Sequence, residues 1–229
     1  MQQIKTVALI GLGAIGCSVA RELCRAVGYD NFRVIAGGAR RERLERDGVV
    51  INGEPCRFQI VPPDAQTGPA DLVVVAVKFG GLESAVRDIA GQVGPETTII
   101  SFLNGISSGE TLAAAYGWDH VLYGMVRRAV TMQDGVCTYD ESAGTYYFGE
   151  AKNPVITPRT ARVCALFERA GLRYEVPADM VREIWVKFMA NVSENQSAAI
   201  LGIPYAAWYE DGNDANWIRE AACREVIAV

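Results

Sequence analysis

Short apolar runs alternate along this chain with stretches whose apolar positions recur every three or four residues. Val7-Ala8-Leu9-Ile10 is unbroken, as a strand buried on both faces of a parallel sheet is, and Asp71 to Val77 is longer and β-branched. Phe32 to Ala36 and Thr97 to Phe102 read the same way. Helical stretches follow at residues beyond Gly16, at Arg40 to Arg46 ending at Asp47-Gly48, at Leu82 to Gln92 and at Gly109 to Tyr116. Strand–helix alternation of this kind predicts a doubly wound α/β sheet. Asn52-Gly53 predicts a hairpin turn after Val49-Val50-Ile51, with Arg57-Phe58-Gln59-Ile60 as the returning strand. Residues 121–148 are β-rich, with turns at Asp134-Gly135 and Ala143-Gly144. Thr157-Pro158 opens a helix that Gly171 ends, and Arg173 to Val176 is a last strand. From Pro177 the pattern changes: residues 178 to about 201 read as one long helix, Gly202-Ile203-Pro204 breaks it, and a further helical stretch runs towards Val229.

The first strand runs directly into Gly11-Leu12-Gly13-Ala14-Ile15-Gly16. Glycine suits the tight strand-to-helix turn at 11, a close backbone approach to a pyrophosphate at 13, and close helix–strand packing at 16. The helix N-terminus that follows favours phosphate. Placed between a strand and a helix, the motif predicts a dinucleotide site. The expectation is a Rossmann-type domain over residues 1–177 and an all-α domain over 178–229.

An NAD site usually carries an acidic residue near the end of the second strand. Here Ala36-Gly37-Gly38-Ala39 stands there, followed by Arg40 and Arg41, whose guanidinium groups suit a ribose 2′-phosphate. This points to NADP(H). Lys78 and Asn104 end the next two strands on the carboxyl edge, where ligands bind in open α/β sheets. In the helical region Lys187, Asn191 and Asn195 are spaced i, i+4, i+8, about 40° apart from one to the next on one face. They stand among Trp185, Val186, Phe188 and Met189, so a polar stripe there predicts a shared cleft. A lysine in such a cleft suits proton donation to a carbonyl under reduction.

Composition narrows the field. A net charge of −5 with dispersed basic residues gives no nucleic-acid footprint. No run approaches the roughly 18 apolar residues of a membrane span. Met1-Gln2-Gln3-Ile4-Lys5 leads straight into a strand, so no signal peptide and a cytoplasmic location are expected. The six cysteines form no C-x-x-C pair and read as reduced, mostly buried thiols. The single histidine, His120, precedes an apolar run, which speaks against a His-based metal site; no metal is expected.

The glycine loop, Val77-Lys78, Asn104-Gly105 and above all Trp185-Val186-Lys187-Phe188-Met189-Ala190-Asn191 followed by Asn195 resemble the ketopantoate reductase (2-dehydropantoate 2-reductase) family along essentially the whole chain. The resemblance implies NADPH-dependent reduction of an α-keto acid, 2-dehydropantoate to pantoate, with Lys187 as general acid. It also implies that Asn104, Asn191 and Asn195 hold the substrate, that Lys78 and Asn104 lie near the cofactor, and that the helical domain mediates homodimerisation. The family's helical domain continues further, with a Ser-rich segment and a Glu, so the domain is expected to be truncated here. Glu194, Gln196 and Ser197 depart from the apolar residues often found beside the second Asn. Two other readings stay open: a related NADP-dependent dehydrogenase acting on another keto acid or an imine, and a non-catalytic NADP-binding sensor.

Overall fold

A computed structural model describes residues 3–210 and 212–229; Met1, Gln2 and Asp211 lie outside the described residues, and with them the first two positions of the expected run-in. The chain divides into two compact units, one ending at Met180 and one running from Val181 to Val229.

The first unit holds strands β1 (Val7–Ile10), β2 (Phe32–Ile35), β3 (Val49–Ile51), β4 (Glu54–Cys56), β5 (Gln59–Val61) and β6 (Leu72–Val75). These are followed by β7 (Thr98–Ser101), β8 (Val121–Arg127), β9 (Val130–Gln133), β10 (Val136–Tyr139), β11 (Thr145–Gly149) and β12 (Tyr174–Glu175). Its helices are α1 (Ala14–Val27), α2 (Gly38–Asp47), α3 (Leu82–Asp88), α4 (Ser108–Tyr116) and α5 (Pro158–Arg169). An eight-stranded sheet runs in the order β12-β11-β8-β7-β6-β1-β2-β5. Its strands from β5 to β8 are mutually parallel.

Parallel pairing explains the unbroken apolar runs. Leu9 packs with Val19, Leu23 and Val34 on one face, while Ala8 and Ile10 pack with Val73, Leu82 and Ile99 on the other. Successive side chains point to opposite faces, so both must be apolar. Deleting one such Leu or Ile side chain costs about 2–5 kcal/mol.

A second sheet, β4-β3-β10-β9, stands apart from the first. It corrects one expectation. The strand returning from Asn52-Gly53 is β4, antiparallel to β3, and not Arg57 to Ile60. Asn52 and Gly53 both have positive φ (49° and 82°), which closes the turn in two residues and starts the return at Glu54. Gln59–Val61 instead leaves this sheet and pairs in parallel with β2 at the edge of the large one. The helix expected over Leu82 to Gln92 is also shorter, since α3 ends at Asp88 and a 3₁₀ turn follows at Ala90–Gln92.

The second unit contains nearly all of α6 (Met180–Ala190), then α7 (Ser197–Leu201), a 3₁₀ turn at Tyr205–Tyr209 and α8 (Ala215–Ala228). The single α-helix expected from 178 to 201 is interrupted by a π-helical turn over Asn191–Gln196. Gly202, in the left-handed region at φ 65°, ends α7, and the Ile203 amide returns to the Ala198 carbonyl at 3.1 Å.

Candidate functional site

Three glycines make the turn out of β1, each for a different physical reason. Gly11 sits at φ +95°, and a Cβ there would lie 2.5 Å from the Ala76 carbonyl carbon. A Cβ on Gly16 would lie 2.0 Å from the Gly11 carbonyl oxygen, so α1 can approach the turn only without a side chain. Around a Cβ on Gly13 nothing lies within 4 Å. That open side faces a crevice of about 340 Å³.

The crevice lies beyond the carboxyl ends of β1, β2 and β6, where the strand order reverses direction about β1. Gly11 and Gly13 form part of its wall, Ala36 and Gly37 follow β2, and Lys78 follows β6. Arg40 reaches it from the first turn of α2, its Nη2 donating to the Leu12 carbonyl at 2.7 Å. Burial, and secondarily the nearby Arg43, lower the Arg40 pKa, although an arginine stays protonated at any working pH. Ser84 and Asp88 of α3 complete the lining, and Asp88 is its one carboxylate among the described residues.

This chemistry fits a phosphorylated dinucleotide. The first amides of α1 have no partner one turn back, as at any helix start, and point towards the bare backbone at Gly13. A Cβ added at Gly13 would meet nothing within 4 Å, so the backbone there is open to a close approach. Arg40 supplies a fixed positive charge beyond β2, where no acidic residue stands.

The other expected residues are placed as follows. Leu12 is buried, and Ala14, Ile15 and Gly16 form the opening turn of α1. Arg41 lies outside the crevice lining and pairs with Glu45 at 2.7 Å on the outer face of α2. Asn104 is exposed in the loop after β7, next to Gly105 at φ +102°, and is not part of the lining. Lys187 is half-buried on α6, while Asn191 and Asn195 fall on the π-turn. Asn195 Nδ2 donates to Asn191 Oδ1 at 3.0 Å, and the Tyr205 hydroxyl donates to Asn195 Oδ1. Glu194 pairs with Arg219 at 3.9 Å.

Ser84, Asp88 and Tyr205 were not apparent from the sequence. Gly81, Ser84 and Asp88 recur at helical spacing, which is the signal that could have marked the first two. Nothing local marks Tyr205.

Two other features carry no chemistry of this kind. Cys17 and Cys137 are buried against each other; their mutual hydrogen bond, then burial, pushes the Cys17 thiol far up. His120 directs Nδ1 at the Thr97 carbonyl, 2.9 Å away, at the start of β8. Within the second unit a cavity of about 510 Å³ is walled mostly by apolar groups, Trp185, Val186, Met189 and Ile227 among them, with Arg182 at its side.

A parallel sheet with this glycine turn at its reversal point defines a Rossmann-type dinucleotide-binding fold, followed by a helical region. The model of the ketopantoate reductase PanE/ApbA family matches residues 7–153, more than half of the chain, and the chain belongs to that family. It is a family of oxidoreductases that use NADPH. Among curated relatives, the uncharacterized oxidoreductase YkpB of Bacillus subtilis is 28% identical over 79% of this chain. The chain spans 60% of that protein's length. A 2-dehydropantoate 2-reductase of Mesorhizobium japonicum is 26% identical over 90% of this chain and 70% of its own length. Among solved structures, the 2-dehydropantoate 2-reductase of Geobacter metallireducens superposes with a TM-score of 0.83 at 23% identity, covering 97% of this chain and 74% of that one.

Proposed function

We propose that this protein reduces an α-keto acid with NADPH, and that the keto acid is 2-dehydropantoate, yielding pantoate. The observation that carries the reading is the crevice itself, with Gly13 bare at the helix start and Arg40 where an NAD-type carboxylate would stand. NADPH, when bound, supplies the hydride that reduces the keto carbon.

The chain's own residues do the rest. The opening amides of α1 receive the pyrophosphate, and Arg40 pairs with the 2′-phosphate, with Arg41 a second candidate. Lys78 and Asn104 stand towards the cofactor–substrate junction. Lys187 gives a proton from Nζ to the keto oxygen as that oxygen gains charge, and its cationic charge stabilises the developing alkoxide. Asn191 and Asn195 orient the substrate's polar groups. Residues 1–177 are thus the cofactor region and 178–229 the substrate region, with homodimerisation through the latter and a cytoplasmic setting. No described helix is long and apolar enough to cross a membrane.

The test is NADPH oxidation dependent on 2-dehydropantoate, run beside a panel of other keto acids and imines. Lys187→Ala should lower kcat by about 10²–10⁴-fold, the usual contribution of general acid catalysis. Cofactor binding with no turnover across the panel would replace this reading with that of a sensor. Preference for another keto acid or an imine would keep the chemistry and change the substrate.

A further inference from the structure

The second unit carries a hydrogen-bond relay with a direction. The Tyr205 hydroxyl donates to Asn195 Oδ1, and Asn195 Nδ2 donates to Asn191 Oδ1 at 3.0 Å. A phenol has one proton to give, and an asparagine amide has an accepting end and a donating end. Once Tyr205 gives its proton, the accepting end of Asn195 is turned to it and the donating end to Asn191. That in turn occupies the Asn191 oxygen. The donors left for a ligand are the Asn191 Nδ2 protons and the second proton of Asn195 Nδ2.

The backbone holds the three residues in register. Asn191 and Asn195 both lie on the π-turn Asn191–Gln196, a wide turn of the kind that recurs at functional sites, with Ser193 and Ser197 buried beside it. Tyr205 follows Gly202 in the left-handed region and Pro204 at φ −74°. The amides of Ile203 and Ala207 bond back to Ala198 and Pro204, at 3.1 and 3.0 Å. These bonds set the backbone that carries Tyr205. Tyr205 is 53% exposed, so it is not a core-filling residue.

We propose that Tyr205 is a positioning residue that sets the polarity of the Asn195–Asn191 pair, so that both amides turn N–H donors to the substrate and select a carboxylate. Carboxylate oxygens only accept, which matches the amide protons that the relay leaves over on Asn191 Nδ2 and Asn195 Nδ2. The inference rests on the keto-acid reading above and deepens it, because it says which end of the substrate these amides hold.

Tyr205→Phe removes one oxygen from a half-exposed ring and leaves both amides free to flip. In the full chain, the KM for 2-dehydropantoate should rise about five- to tenfold while kcat stays within about twofold, as loss of one hydrogen bond in binding predicts. In parallel, the side-chain amide signals of Asn191 and Asn195, assigned with Asn191→Asp and Asn195→Asp, should shift and exchange faster with water in Tyr205→Phe. An unchanged KM in an active enzyme overturns the proposal, and so do unchanged amide signals. Should the wild-type protein reduce no keto acid, the functional reading falls by itself, and the amide signals alone decide the relay.

Discussion

Arg40 donates from Nη2 to the carbonyl oxygen of Leu12 at 2.7 Å, which lays its guanidinium across the mouth of the glycine turn. Arg41, one residue on, points 100° further round the helix and is committed to Glu45 at 2.7 Å. Two adjacent arginines thus have different surroundings, and helix phase alone separates them. Arg40→Ala should weaken NADPH binding about 10- to 100-fold, the equivalent of one or two charge-assisted hydrogen bonds. NADH binding, lacking the 2′-phosphate, should change by less than about threefold, and Arg41→Ala should move neither beyond about twofold. Titrations followed by nicotinamide fluorescence decide it, and equal losses from both variants would reverse the assignment.

The glycines of the turn separate folding from binding. Gly16→Ala forces a Cβ to within 2.0 Å of the Gly11 carbonyl oxygen, a backbone clash that no side-chain rotation relieves. Its expected cost is about 3 kcal/mol or more in urea unfolding, at the upper end of overpacking penalties. Gly13→Ala meets nothing within 4 Å and has an extended backbone (φ −100°, ψ −160°) that alanine adopts. Its stability should change by less than about 1 kcal/mol, with the methyl group standing in the crevice and NADPH binding at least about tenfold weaker. A Gly13→Ala protein that is unstable, or that binds NADPH normally, would show that the open side of the turn is not the cofactor side.

Much of this was legible in the sequence, and the exceptions share a cause. Val7–Ile10 and Leu72–Val75 announce themselves because burial on both faces demands an unbroken apolar run. The glycine loop is legible because each position has its own steric reason. Glu54–Cys56 was missed because it pairs only at the margin of the small sheet, so Glu54 and Pro55 stay exposed and leave no apolar alternation. Gln59–Val61 was misplaced because its partner, Phe32–Ile35, lies far away in the chain and the pairing has no local mark. In the π-turn at Asn191–Gln196 the Asn191 and Asn195 side chains still meet, as i, i+4 residues of an α-helix do, so their spacing leaves no mark of the wider turn in the sequence. Tyr205 enters the polar stripe only through the turn that Gly202 and Pro204 impose.

Glu150, just after β11, ties the start of α5 to the sheet. Arg159 donates from Nε to Glu150 Oε1 at 2.7 Å and from Nη2 to Oε2, and the Thr157 hydroxyl donates to Oε1 at 2.8 Å. The same guanidinium reaches the Trp118 carbonyl at 2.7 Å, so the pair also anchors the chain before β8. Burial pushes the Glu150 carboxyl up, but the Arg159 fork and the Thr157 hydroxyl outweigh it and hold the carboxyl below its ordinary value. A carboxyl lowered in the folded state binds its proton more tightly when unfolded. Its stabilisation is therefore full above the unfolded pKa of about 4.3 and is lost as pH falls through the lower folded value. Glu150→Gln should cost about 1–3 kcal/mol at pH 7, the range for hydrogen bonds to a charged group. In urea unfolding of both proteins from pH 7 down to pH 3, the gap should hold to about pH 5 and then close. A gap of constant size across that range would mean that the carboxylate's charge contributes nothing and that packing alone holds α5 to the sheet.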